Sequence, residues 1–161
     1  MRSAAAIALG AFSTLATAAD VGYAGVENLC DFDVYTWYVG GNVSDMHVNP
    51  AKAGFIGEDY RWDPESGGRV FKMSLEEDGL YTGAPQLNMA YTLDGPRVWY
   101  DMSEVFGSPF EGHELWVRVF DDGCEDITWE DGVSPGGSSV RTCSSDVSFT
   151  LILCNENNNR K

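Results

Sequence analysis

Residues 87–102 read LNMAYTLDGPRVWYDM, and their pattern indicates the fold class. In its first half, large apolar side chains at every second position alternate with Asn, Ala and Thr. A period of two places one face of a β-strand in a core and leaves the other face free. Asp94-Gly95 then interrupts the pattern with a dipeptide that is typical of tight hairpin turns. The stretch therefore predicts two antiparallel strands joined by a hairpin.

The same alternation recurs along the chain, in residues 71–75, 115–120 and 147–153, with glycine-rich breaks between the runs. It predicts an all-β fold, an antiparallel sandwich or barrel with about eight or nine short strands in one domain. We expect little helix. One exception is a possible helical turn over Ser103 to Phe106, where the Ser103 side chain could cap the backbone.

The charge of the chain restricts its partners. The 161 residues include 25 Asp and Glu but only 10 Lys and Arg, which gives a formal net charge of −15. Such an excess of acid excludes nucleic acid and anionic membranes as favourable partners, because both would repel it. It suits a neutral polysaccharide or a basic partner better. The 43% hydrophobic and 12% aromatic content excludes a disordered acidic tail.

Residues 1–19 have the layout of a secretory signal peptide, with Arg2, an apolar run and small residues before the expected cleavage site. We expect cleavage after Ala18 or Ala19. The apolar run is too short to span a bilayer, and no later segment is apolar enough to anchor the chain. The folded domain then covers residues 20–154, and residues 155–161 form a polar tail. We expect a secreted, extracellular protein that is either released or held non-covalently in a cell wall or matrix.

Secretion changes the meaning of the four cysteines, because disulfides form and persist in oxidising compartments. Three pairings are possible from sequence. We favour Cys30–Cys154, which ties the opening strand to the closing one, and Cys124–Cys143, which closes a short loop. Loops of these lengths are worth roughly 3–5 kcal/mol each. The Cys-x-x-Cys spacing of zinc and redox sites is absent.

Several segments together resemble the small secreted thaumatin-like proteins of fungi, known from the Blastomyces yeast-phase-specific and antigenic thaumatin-like proteins. The resemblance is carried by CDFDVYTWYVG (30–40), DGLYTGAPQ (78–86), YTLDGPRVWYDMSEVFGSPFEGH (91–113) and CSSD (143–146). It implies a β-sandwich of thaumatin type, secretion from a fungal cell, and association with the wall or with germinating spores. It also supports pairing of the first and last cysteines. Plant members of the superfamily carry an acidic cleft of one Arg, one Glu and three Asp, and we place none of that set on this sequence.

Asp101 and Glu104 are the candidate catalytic pair, since glycoside hydrolysis needs two carboxyl groups roughly 5–10 Å apart. They lie beside Trp99 and Tyr100, whose rings could stack on a sugar. The alternative is that Asp101 caps a turn and that Glu104 supports it from solvent. The two histidines are too few for a typical metal site, and no nucleophile elbow, phosphate loop or dinucleotide motif is present. We expect no metal and no cofactor.

Aromatic side chains provide the candidate carbohydrate-binding residues, namely Tyr81, Trp99, Tyr100 and Trp116. Trp116 alternates out of phase with the apolar residues around it, so its ring is expected on the free face of its strand. The loop at residues 79–85 would present Tyr81 either outward to a ligand or inward as a plug. For any one ring the alternative is core packing. Asn42-Val43-Ser44 is a sequon, and a glycan is possible at Asn42.

These observations favour a secreted, monomeric, non-enzymatic thaumatin-like protein that binds a cell-wall polysaccharide such as a β-glucan, or another surface partner. Its role would lie in spore germination or wall remodelling. One alternative is a weak β-1,3-glucanase that uses Asp101 and Glu104. The other is a secreted effector, adhesin or antigen that acts on a host.

Overall fold

The computed structural model describes residues 20–156, in which eleven strands and one short helix alternate with turns. The expected signal peptide therefore lies outside the described residues. In chain order the elements are β1 (Tyr23–Asn28), β2 (Val34–Val39), β3 (His47–Asn49), β4 (Gly54–Asp59), β5 (Arg69–Ser74), α1 (Gly79–Thr82), β6 (Gln86–Asp94), β7 (Arg97–Val105), β8 (Leu115–Val119), β9 (Ile127–Trp129), β10 (Arg141–Ser144) and β11 (Phe149–Leu153).

The strands form two sheets that pack face to face. One sheet has five strands in the order β4-β1-β11-β8-β9, and the other has six in the order β10-β7-β6-β5-β2-β3. Neighbouring strands are antiparallel except β1 and β11, which run parallel in the middle of the five-stranded sheet. The predicted all-β sandwich is confirmed, and it has more strands than the eight or nine expected.

The predicted hairpin is β6 and β7. Leu93 pairs with Val98 and Asp94 with Arg97, so the turn consists of Gly95 and Pro96. Gly95 has φ +55°, a backbone conformation that favours glycine.

The expected helical turn over Ser103–Phe106 is wrong. β7 continues to Val105, and Ser103 pairs with Asn88 across the hairpin. The ladder to β6 supplies the backbone hydrogen bonds that a local turn would otherwise have supplied. Phe106, at φ +64°, then follows the strand.

The hydrophobic core fills the space between the sheets. Leu87 and Met89 point into it from the six-stranded sheet, and Val117 and Leu151 from the five-stranded sheet; all four are fully buried. Tyr60 packs between the rings of Tyr91 and Phe149, with centroid distances of 5.3 and 5.6 Å. Each fully buried side chain of this size contributes about 1.5–3 kcal/mol. The core thus holds in place the edge strands that carry the cleft described below.

Both favoured disulfides are present. Cys30–Cys154 joins the chain just after β1 to the chain just after β11, and Cys124–Cys143 joins the β8–β9 connection to β10 in the opposite sheet. Asn155, a residue of the predicted polar tail, is buried, and its backbone and side-chain nitrogens donate to Glu114. Along residues 20–156, no helix is long and apolar enough to cross a membrane.

Candidate functional site

A cleft of about 680 Å³ opens along the side of the sandwich where the edge strands β4 and β3 of the two sheets lie next to each other. Its walls come from β2, β3, β4 and the start of β5, and from the connections β2–β3 and β4–β5. It is lined by Tyr38, Asn42, Val43, Ser44, His47, Gly57, Glu58, Arg61, Trp62, Asp63, Pro64 and Arg69.

Glu58 is the hydrogen-bonding centre of this cleft. Its position in β4 directs the side chain to the inner side of the sheet, where only 13% of it is exposed. Arg69 donates to both carboxylate oxygens at 2.9 Å, Arg61 donates at 2.6 Å, and the Tyr91 hydroxyl donates at 2.7 Å. The bond to Glu58 raises the pKa of Arg69, and burial, followed by this same carboxylate, raises the pKa of Tyr91.

Asp63 holds the two loops of the cleft together. One carboxylate oxygen accepts from the backbone N–H groups of Glu65 and Ser66, and the other accepts from the backbone N–H of Gly41. The Arg69 guanidinium lies 3.8 Å from the second oxygen, so Arg69 connects Asp63 to Glu58. Backbone donation, first from Ser66 and then from Gly41, holds the pKa of Asp63 well below its usual range.

The rim of the cleft carries exposed groups with sugar-binding chemistry. Trp62 is 61% exposed, and the Arg61 side chain is open to solvent on its outer side. His47 is also exposed, and its ring stands edge-on to Tyr38 at 5.1 Å. Asn42, the sequon residue, is exposed at the same rim. The cleft therefore offers one open aromatic face above a floor of fixed charged groups.

This arrangement suits binding better than hydrolysis. A glycosidase needs one carboxyl group that delivers a proton and a second that activates water or attacks the sugar. The Glu58 oxygens are occupied by two guanidinium groups and a hydroxyl, and those of Asp63 by backbone N–H groups. With its lowered pKa, Asp63 stays ionised at neutral pH and has no proton to give.

The structure does not bring Asp101 and Glu104 together. They are three residues apart in one regular strand, so their side chains leave opposite faces of the sheet. Asp101 lies beside Ala90 on the outer face, where burial raises its pKa, and Glu104 lies beside Leu87 on the core side. Glu104 accepts a hydrogen bond from the Ser134 backbone at 3.3 Å. The predicted pairing of these two acids in one cleft is therefore wrong.

The four aromatic candidates lie at different places. Tyr100 is 1% exposed, with its hydroxyl bonded to the Glu125 carbonyl and its pKa raised to about 12 by burial, so its assignment as a sugar-stacking ring is wrong. Trp99 is exposed on the outer face of the six-stranded sheet. Tyr81, on α1, is exposed and meets the edge of Trp37. Trp116 lies on the outer face of the five-stranded sheet, as its alternation predicted.

Sequence reasoning missed the cleft because its residues belong to no motif. Glu58, Arg61, Trp62 and Asp63 are close in sequence and form a visible charged and aromatic cluster. Arg69, however, joins them only through the fold. Over residues 20–156, no group of three or more His, Cys, Asp or Glu side chains could hold a metal ion.

Comparisons with known proteins agree with this architecture. The chain matches the family described as Blastomyces yeast-phase-specific protein over residues 11–155. It is 27% identical to the antigenic thaumatin-like protein of Arthroderma benhamiae, over 93% of this chain and 82% of that protein.

Two solved structures share the fold. The protein elicitor MoHrip2 from Magnaporthe oryzae superposes with a TM-score of 0.67 at 20% identity, over 83% of this chain and 98% of that one. The thaumatin-like xylanase inhibitor TLXI superposes with a TM-score of 0.55 at 10% identity, over 81% of this chain and 98% of that one. By its family match and its thaumatin-like fold, the chain belongs to the fungal thaumatin-like proteins of the Blastomyces yeast-phase-specific family.

Proposed function

We propose that this protein is secreted, acts outside the cell as a monomer, and binds a neutral, β-glucan-like wall polysaccharide without cleaving it. The observation that carries the proposal is the exposed Trp62 ring at the rim of a cleft whose floor holds the ion pair of Glu58 and Arg69. Its role would lie in the wall, during spore germination or wall remodelling.

The chemistry of the cleft supports a glycan ligand. An aromatic face packs against the C–H face of a pyranose ring, and fixed charged groups exchange hydrogen bonds with its hydroxyls. Because Glu58 and Arg69 are already held in place, little side-chain freedom is lost when a ligand binds. The net charge of −15 disfavours an anionic polysaccharide.

Trp62→Ala tests the proposal. With soluble laminarin as the probe, we expect isothermal titration calorimetry to show affinity at least about 10-fold weaker than wild type, which corresponds to about 1.4 kcal/mol. The fold should remain intact, because most of the Trp62 ring is in solvent. Phe106→Ala removes an exposed aromatic ring that does not line the cleft and is the control.

Wild-type protein that binds neither laminarin nor other soluble neutral β-glucans would overturn the proposal, as would unchanged affinity in Trp62→Ala. Absence of β-glucan binding in wild type would favour the alternative function, a secreted effector, adhesin or antigen that acts on a host.

A further inference from the structure

The outer face of the five-stranded sheet carries an unusual group of aromatic side chains. We call Tyr23, Phe55, Trp116 and Phe120 the aromatic face. None of these four residues lines the cleft. Gly57 and Glu58 of β4 line both the cleft and a depression beside Tyr23 and Phe55, so the two surfaces meet at β4. Outward positions of an antiparallel sandwich are normally polar, because they face water. Here Phe55 is 55% exposed and Phe120 is 49% exposed, while Tyr23 and Trp116 are half-buried.

The rings form a continuous arc. Tyr23 lies 6.4 Å from Phe55 on one side and 6.4 Å from Phe120 on the other, between ring centroids. Arg118 extends the arc, since its guanidinium carbon lies 5.3 Å from the Phe120 centroid and 5.6 Å from the Trp116 centroid. The indole N–H of Trp116 donates to Asp126 at 2.8 Å, which fixes the ring.

The floor inside the arc is made of small residues. Gly57, Gly25 and Thr150 lie side by side on β4, β1 and β11, with Arg118 next in the same row. A Cβ atom on Gly25 would come within 2.9 Å of the Phe55 ring, so glycine is needed for that ring to lie down over the sheet. The Phe55 ring therefore lies across this floor, and Tyr23 stands edge-on to it at an interplanar angle of 75°.

The charges around the rings restrict the occupant. Glu27 pairs directly with Phe55 and Asp59 with Tyr23, so a carboxylate adjoins each of these two rings. These carboxylates and the net charge of −15 repel an anionic partner or a second copy of this chain. Arg118 already covers Trp116 and Phe120, so it disfavours an external cation there. With carboxylates at one end of the arc and a guanidinium at the other, the face suits a neutral ligand whose hydroxyl groups both donate and accept hydrogen bonds.

We propose that the aromatic face is a second glycan-binding surface, which docks the flat C–H faces of an insoluble, neutral β-linked polysaccharide. The rings cover the apolar faces of the sugar, the carboxylates of Glu27 and Asp59 accept hydrogen bonds from its hydroxyls, and Arg118 donates them. The inference extends the proposed function, because the cleft takes a single soluble chain whereas this face takes a packed surface of chains.

Co-sedimentation with insoluble chitin and with insoluble β-glucan particles tests this surface. We expect wild type to sediment with at least one of them, and Phe55→Ala/Phe120→Ala to bind that particle at least about 10-fold more weakly. Phe106→Ala removes a phenylalanine beyond the end of β7 that is more exposed than Phe55 or Phe120, and it is the control. Trp62→Ala should keep particle binding, and the double variant should keep laminarin affinity.

The inference would be overturned if wild type sedimented with neither particle, or if the double variant sedimented like wild type. It would also be overturned if analytical ultracentrifugation showed a wild-type dimer that the double variant lacks, because the face would then be an interface between two copies of this chain. Arg118→Ala, which leaves all four rings in place, guards against a folding defect, and we expect it to weaken particle binding as well. A wild-type protein that binds the particles but not laminarin would contradict the proposed role of the cleft and would leave the role of the aromatic face supported.

Discussion

At the scale of single residues, the cleft depends on carboxylates held by many donors. Asp63 illustrates this, since three backbone N–H groups and Arg69 converge on one side chain that lies outside any strand. The sequence shows an Asp before a Pro, which is typical of a turn. It does not show that Gly41, 22 residues earlier, donates to the same carboxylate.

Asp63→Asn is expected to lower stability in a pH-dependent way. The pKa of Asp63 is lower in the folded protein than in the unfolded chain, so the carboxylate stabilises the fold fully above its ordinary pKa of about 3.9. This contribution is lost as the pH falls toward the folded-state value. Urea unfolding should therefore separate wild type from Asp63→Asn most at pH 7, and the gap should narrow between about pH 4 and pH 2.

Asp122→Asn, a change at an exposed acid of the β8–β9 loop, is the control and should follow wild type throughout. A gap between wild type and Asp63→Asn that widens in acid would contradict the role of the ionised carboxylate.

At the scale of elements, alternation predicted β6, β7 and β8 well because each has one face in the core and one outside. It predicted the outward Trp116 for the same reason. It could not place Arg69, Glu58 and Tyr91 together, because those contacts depend on how the edge of one sheet meets the other. The helical turn at Ser103 failed similarly, since local capping signals compete with a ladder that sequence alone does not reveal.

β11 is buried along its whole length, although its sequence alternates in part. Leu151 faces the core. Thr150 and Ile152 face the other side of the sheet, and they are nevertheless only 4% and 8% exposed. Leu151→Ala should therefore lower the free energy of unfolding by about 3 kcal/mol, measured by chemical denaturation. Val133→Ala, at an exposed apolar residue, should stay within about 0.5 kcal/mol of wild type. Equal losses in both variants would contradict the central position of β11.

At the scale of the whole molecule, two disulfides constrain the chain over very different distances. Cys30 and Cys154 are 124 residues apart, and Cys124 and Cys143 are 19 apart. If the entropy of the unfolded chain dominates, Cys30→Ser/Cys154→Ser should cost about 4–5 kcal/mol and Cys124→Ser/Cys143→Ser about 3 kcal/mol. Thermal or denaturant unfolding of both double variants measures the difference. A larger loss from the shorter loop would show that local strain or packing outweighs chain entropy.

The parallel pairing of β1 with β11 has a consequence for biosynthesis. β11 lies between β1 and β8, so until residues 149–153 have been synthesised β1 and β8 lack the strand with which their inner edges pair. Unpaired edges invite pairing with other chains, and contacts between distant parts of a chain form slowly. We therefore expect the nascent chain to depend on chaperones until β11 has emerged, because β11 is the strand that joins β1 to β8 and closes the sheet.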